Sequence, residues 1–222
     1  MKDLNAIRGK HYIEGLIAEG EHDHQDFKYL ISDARKIARS ISAFANNDGG
    51  HLLIGVKDNG TMAGVRNEED IYVVEQAAEL YCRPPQKIEF TAFNVDRGTI
   101  VIRASIPKAE KRPVAVCEAQ GELKAYYRVK DENIVAHPLM VKMWHKREAA
   151  DSEAIVFRLS DVETRLLAIL DDAPEGLTER DIAVRLHCSQ AQTDELIVNL
   201  AAVGILTFQF NGTHFLIARA AD

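Results

Sequence analysis

The sequence predicts an α+β fold with a mixed sheet, followed by a small helical unit that closes on a β-hairpin. Three observations carry this expectation. First, "KIEFTAFNV" and "TIVIRASI" flank "DRG" and read as two paired antiparallel strands. Second, "DARKIARSISAFANN" has helical apolar spacing and runs through Gly49-Gly50 into "HLLIGVKD", a buried-strand pattern. Third, the last third of the chain changes rhythm to three helical segments and one turn-centred hairpin.

In the helix predicted over Asp33–Asn47, the apolar positions Ala34, Ile37, Ala38, Ile41, Phe44 and Ala45 follow helical spacing. Ser32 or Asp33 can cap its start. Asn46, Asn47, Gly49 and Gly50 can end it, cap its carbonyls and turn the chain sharply. "DNGT" is a tight turn after the next strand. Glu68–Cys82 suits a second helix stopped by Pro84-Pro85. "PVAVCE" and "KAYYRV" add strands. "HPLMVKMWHKREAADSE" reads as a helix leaving the domain, with a polar link near residues 149–153. The first domain is therefore placed at 1–148 and the second at 149–222. In the second, "LSDVETRLLAILDD" has Ser160 or Asp161 at its cap, and "GLTERDIAVRLH" has Thr178. "SQAQTDELIVNLAAVG" ends at Gly204. "ILTFQFNGTHFLIA" gives two strands around Asn211-Gly212, a hairpin-turn dipeptide. Three helices plus a hairpin is winged helix-turn-helix organisation.

Apolar residues are 46% of the chain and charged residues 27%, which predicts a packed core. No apolar run is long enough to span a membrane and the N-terminus lacks an apolar signal core, so a cytoplasmic protein is expected. Three dispersed cysteines without CxxC predict neither a disulfide framework nor a zinc knuckle. Residues 1–150 hold 22 basic and 22 acidic residues, leaving 5 and 12 for residues 151–222. Nucleic-acid binding needs a local basic surface, and only the first domain can supply one. Arg35, Lys36 and Arg39 are helical neighbours. Lys108, Lys111 and Arg112 share a loop. Strand alternation puts Arg128 and Lys130 on one face, beside Tyr126-Tyr127 as a stacking platform.

"AFANNDGGHLLIGVKDNGTMAGV", Ala43 to Val65, resembles the signature of the AlbA_2 (schlafen AlbA-like) domain family, with Asp26-Phe27-Lys28 standing for its acidic-led first strand. "RPVAV" and "YYRVKDENIVAHP" resemble its later segments. The resemblance covers roughly residues 14–140 and implies an AlbA_2/schlafen-like mixed-sheet domain before the winged helix, an arrangement that looks like bacterial transcriptional regulators. Some schlafen relatives cleave RNA with three metal-binding acidic residues. Carried over by motif position, these are Glu21, Asp26 and Asp58, with Mg²⁺ or Mn²⁺ as the implied ion. Asp26 departs from the usual Glu, which shortens its reach.

His22, His24 and Asp26 alternate as a transition-metal set would, yet such a short cluster is more often a solvated loop, and His51 has a weaker claim. ATP binding lacks both the Walker and the dinucleotide glycine patterns. The third tail helix has no Lys or Arg from residue 186 to 218, and carries Asp194 and Glu195. The winged helix is thus expected to mediate dimer or protein contacts, with Phe208 and Phe210 as an apolar wing surface or as core. The main expectation is a non-enzymatic, homo-oligomeric nucleic-acid-binding regulator, of DNA rather than RNA. The alternatives are a divalent-metal ribonuclease at Glu21, Asp26 and Asp58, and a protein-interaction scaffold built on the acidic winged helix.

Overall fold

The computed structural model describes residues 4–66, 69–150 and 159–220. The chain divides into two compact units, Met1–Ala136 and His137–Asp222.

The first unit runs β1 (Ile7–Arg8), α1 (Lys10–Glu19), β2 (Gln25–Lys28), α2 (Ala34–Asn46), β3 (Gly50–Ile54) and α3 (Glu69–Gln76). A π-helical turn, Ala77–Tyr81, extends α3 into β4 (Cys82–Arg83). Then follow β5 (Glu89–Asp96), β6 (Thr99–Ile106), β7 (Ala115–Cys117), β8 (Leu123–Val129) and β9 (Glu132–Val135). One sheet has the order β1-β5-β6-β3-β2 and the other β4-β7-β8-β9. The first is mixed, as expected: β1–β5 and β2–β3 are parallel, β5–β6 and β3–β6 antiparallel. The "DRG" hairpin pairs Phe93 with Val101 and turns at Gly98, φ 81°.

Helix α2 is the centre of this unit. Asp33 caps it, accepting from the backbone N–H of Arg35 (2.9 Å) and Lys36 (3.3 Å). Nine of its thirteen residues are buried, because it packs against both sheets. Ile37, Ile41 and Phe44 join Leu52, Ile54, Ile102 and Ile106 in the main core. On the other face of the five-stranded sheet, Ile13 of α1 covers Phe27, Leu53 and Val101. Helix α1 was not among the expected elements.

The second unit contains α4 (Pro138–Ala150), α5 (Asp161–Asp171), α6 (Glu179–Leu186), α7 (Gln190–Ala202), β10 (Leu206–Phe210) and β11 (Phe215–Arg219). Ser160 and Ser189 form full capping boxes, and Thr178 caps α6. Leu177 exchanges backbone hydrogen bonds with Ile217 (2.9 and 2.8 Å), adding a single-residue bridge beside the hairpin. The hairpin loop is longer than the two-residue turn expected: Asn211–His214 intervene, closed by Asn211 N–H to His214 C=O at 3.2 Å. Phe208 is buried and Phe210 partly so.

The division falls at 136/137 rather than 148/149. Helix α4 lies along α7, where Arg147 donates to the carbonyls of Ala201 (2.6 Å) and Ala202 (2.9 Å). The expected link at residues 149–153 lies mostly outside the described residues. Among the described residues no helix is long and apolar enough to cross a membrane.

Candidate nucleic-acid interface

The "ANNDGG" segment joins α2 to β3, and its side chains fix that junction. Asn46 is 1% exposed. Its amide donates to the carbonyls of Val114 and Tyr126, each at 2.9 Å, and its Oδ1 accepts from Val114 N–H at 2.7 Å. Asn47 treats β8 the same way, donating to Arg128 C=O (2.8 Å) and accepting from Arg128 N–H (3.1 Å). The two amides bind the second sheet's backbone, where capping of the helix's own carbonyls was expected. Gly49 has φ 81°, and a Cβ there would lie 2.9 Å from Ile106 C=O. At Gly50 a Cβ would meet the Phe44 ring at 2.4 Å.

Arg128 is a buried clamp, not a surface cation. It is 2% exposed, over the Phe44 ring at 5.1 Å. Its guanidinium donates to His22 C=O (3.3 Å), Gln25 C=O (3.2 Å) and Asn133 Oδ1 (3.0 Å). The Asp26 carboxylate lies 3.6 Å away. Lys130 does not share its face. It follows the end of β8 at φ 55°, where its N–H meets Asp23, so strand alternation has already ended.

Of the three carboxylates carried over by motif, the structure joins two. Glu21 hydrogen-bonds Asp26 and accepts from Phe27 N–H at 2.8 Å, covering the outer edge of β2. Burial, then the bond to Asp26, pushes the Glu21 carboxyl up to about 7. Burial works against the Asp26 charge, but Glu21 and Lys28, whose Nζ is 2.7 Å away, hold its pKa below the ordinary value. Asp58 sits in an exposed turn beyond the end of β3. Among the described residues no group of three His, Cys, Asp or Glu is placed to hold a metal ion. The donor chemistry also fits a divalent ion poorly. The Asp26 carboxylate already faces two cations, Lys28 Nζ at 2.7 Å and the Arg128 guanidinium at 3.6 Å. The histidines are likewise engaged: His24 Nδ1 donates to Gly49 C=O (2.9 Å), and His22 Nδ1 accepts from His24 N–H (3.1 Å). His51 Nε2 bonds Gln25 Oε1 at 2.7 Å, and burial lowers its pKa to about 4.

The expected basic face of α2 is taken apart by its partners. Arg39 makes a two-point pair with Glu118 (2.9 and 2.7 Å), which also accepts from the Tyr126 hydroxyl at 2.5 Å. Tyr126 is buried and offers no stacking surface. Arg35 lies over the Tyr81 ring at 4.8 Å, and of the three only Lys36 is exposed. The Glu118 carboxylate is nearly covered while the Arg39 side chain is 39% exposed, so it is the two-point geometry and the Tyr126 bond, rather than full burial, that hold Arg39 to the fold.

A different set converges on the rim of the α2–β3 turn. Lys108 pairs with Asp48 at 2.7 Å, with both side chains open to solvent. That bond lowers the Asp48 pKa, and the charges of His24 and Arg112 act in the same direction. Arg112 reaches Asn46 C=O at 3.1 Å. Tyr127 is half-buried beside them, its hydroxyl pKa raised by burial and by the charges of Asp23 and Asp48. Lys130 joins through Asp23, and Lys111 lies exposed in the Lys108–Arg112 loop. An exposed ion pair is worth about 0–1 kcal/mol, so Lys108 exchanges Asp48 for a phosphate more readily than Arg39 exchanges Glu118, which it holds at two points and which is itself nearly covered. Asp48, Asp23 and His24 were not foreseen here: Asp48 adjoins the glycine pair in sequence, but Asp23 and His24 precede β2, and only the fold brings His24 to Gly49.

A two-sheet α+β unit built around a buried helix, with cations gathered at one helix–strand turn, defines the class. The chain belongs to the Schlafen, AlbA_2 family, whose profile matches residues 21–137, just over half of its length. No curated protein matches the chain. Among solved structures, the DIP2311 protein from Corynebacterium diphtheriae is similar at 18% identity and TM-score 0.42, over 87% of this chain and 34% of that one. This chain thus spans about a third of that protein's length. The N-terminal domain of an ATP-dependent DNA helicase RecG-related protein from Nitrosomonas europaea is similar at 18% identity and TM-score 0.42, over 70% of this chain and 97% of that domain.

Proposed function

We propose that the chain is a nucleic-acid-binding protein, of DNA rather than RNA, acting in a regulatory role. The observation that carries this reading is the gathering of Lys108, Lys111, Arg112 and Lys130, with the half-buried Tyr127, around the α2–β3 turn. Phosphates would be held by the lysines and Arg112, with Tyr127 offering its ring edge. Family membership supports a nucleic-acid-related role.

In this reading the second unit is a winged helix that serves contacts between proteins, including copies of this chain. Its three capped helices and hairpin support the winged-helix assignment. Helix α7, in the recognition position, carries no Lys or Arg. One of its flanks is covered by α4, which sets Lys142 and Lys146 beside Asp194 and Glu195. A helix so covered and so charged is poorly suited to enter a major groove.

The test is binding of the full chain to a fluorescent duplex and to its single-stranded RNA counterpart, by anisotropy across a salt series. Lys108→Ala/Lys111→Ala/Lys130→Ala together should lower the slope of log K against log salt by up to about 3. Lys142→Ala/Lys146→Ala should leave it unchanged. A slope indifferent to the first set, or tighter binding of RNA, would overturn the corresponding part of the proposal.

A further inference from the structure

Helix α3 and its π-helical extension bury one face and leave a second, patterned face uncovered. Ile71, Val74, Ala77 and Ala78 enter the main core. On the other side, Tyr72 and Leu80 are each 55% exposed, and Val73 is only partly covered. With Gln76 between them, the spacing is that of a single helical stripe. Two large exposed apolar side chains on one stripe are more than the scattered exposure ordinary on a surface. The stripe lines a shallow concavity of about 560 Å³ together with Glu69, Glu75 and Glu79. The acidic residues are not symmetrically placed. At helical spacing Glu75 and Glu79 flank one side of the stripe, and Glu69 stands at its head.

We propose that this face docks a cationic amphipathic helix of a partner protein. The apolar stripe gives the helix-in-groove mode of recognition, read by anchors spaced as on a helix. The charge selects the occupant. A second copy packing α3 antiparallel on its own α3 about a two-fold axis would bring Glu75 and Glu79 of both copies together, a costly juxtaposition of like charge, and parallel packing would set each acidic border against a helix that carries no Lys or Arg. A helix with Leu-type anchors on one face and Lys or Arg along one border of that face satisfies both features. Its cations belong on the border that meets Glu75 and Glu79. This surface lies on the α3 helix and uses none of the residues assigned to phosphate binding.

The test uses the full chain and two 18-residue peptides with identical leucine stripes, one bordered by lysines and one by glutamates. Binding is read by fluorescence anisotropy of the labelled peptide. The lysine peptide should bind, and the glutamate peptide should bind at least about tenfold more weakly. Leu80→Asp should weaken the lysine peptide at least about tenfold. That variant makes the chain more acidic, so non-specific attraction to a cationic peptide would rise instead. Tyr72→Ala should weaken binding less, and Glu79→Lys should narrow the preference between the peptides. Leu80→Asp should leave duplex binding unaltered. Equal binding of both peptides, or a lysine-peptide affinity unmoved by Leu80→Asp, would overturn the proposal. So would a concentration-dependent self-association that Leu80→Asp abolishes, which would make a second copy the occupant.

Discussion

In the first unit the side chains that close the core are often polar. Gln25, Asp26, Ser40, Ser42, Asn46, Asp70, Glu118 and Arg128 are all buried, and each has a bonding partner. In the second unit, among the described residues, the buried polar side chains are Glu163 and Thr193, and both serve helix starts. The contrast separates two kinds of stability. An apolar core loses stability in proportion to what is removed. A buried polar closure fails more abruptly, since removing one partner leaves the others desolvated and unpaired.

The largest effect should therefore come from Arg128. Arg128→Met keeps much of the volume over Phe44 but strips the donors from His22 C=O, Gln25 C=O and Asn133 Oδ1. It also leaves Asp26 with Lys28 as its one close cation. The expected loss is about 3–5 kcal/mol, confined to the first unit. Urea denaturation of the full chain, followed by a probe in each unit, checks this. A loss below about 1 kcal/mol, the scale of an exposed pair, would show that the polar closure does not govern this unit.

That residue also marks where the sequence stopped being legible. Helix α2, strand β3, the β5–β6 hairpin and the caps at Asp33, Ser160 and Thr178 are set by neighbours within a few residues, and they could be read. Arg128 could not. Alternation along β8 is a local rule, whereas the groups that bury its guanidinium lie at His22 and Gln25, far back in the chain. Arg39 misled for the same reason, since Glu118 is remote in sequence and only the fold places it 2.7 Å away. Lys108 remained usable because its partner, Asp48, is as solvated as itself. The three-carboxylate expectation failed at Asp58, where the chain leaves β3 through Gly55, φ 95°, and turns away into a hairpin bend.

A middle-sized effect concerns pH, where the polar unit contains opposing groups. Glu21 is raised from 4.5 to about 7. Its contribution is present below pH 4.5 and is lost as pH rises towards 7. His51 is lowered from 6.5 to about 4. Its contribution is present above pH 6.5 and is lost as pH falls towards 4. In the window they share, the two slopes offset each other. Glu21→Gln keeps an acceptor for Phe27 N–H and removes one slope, so the first unit should lose stability more steeply between pH 6.5 and 4.5. Below that window Glu118, lowered to about 2 by its bond to Arg39, adds a further loss as it protonates. Among the described residues of the second unit, only His137 is shifted in this range, lowered by burial, and it too loses stability on acidification. Denaturation midpoints at stepped pH would test the offset. An unaltered slope in Glu21→Gln would show that the carboxyl does not carry its proton into the neutral range.

The smallest effect belongs to the second unit. Ser189 accepts from Gln192 N–H at 3.4 Å, and Gln192 Oε1 returns to Ser189 N–H at 3.1 Å. Ser189→Ala removes two exposed hydroxyl bonds, the cap bond from Gln192 N–H and the one donated to Gln192 Oε1 at 2.8 Å, and leaves the apolar contacts of Ile197, Leu200 and Ile217 in place. Water can replace the lost partner because the site is open. The cost should be about 1 kcal/mol, and Ser189→Gly should cost only a few tenths. Both losses should appear in the second unit's transition alone. A loss of about 3 kcal/mol or more, the scale expected for a buried polar closure, would mean that this cap locks the helices as Arg128 locks the sheets. The distinction between an apolar unit that yields gradually and a polar unit that fails at one residue would then not hold.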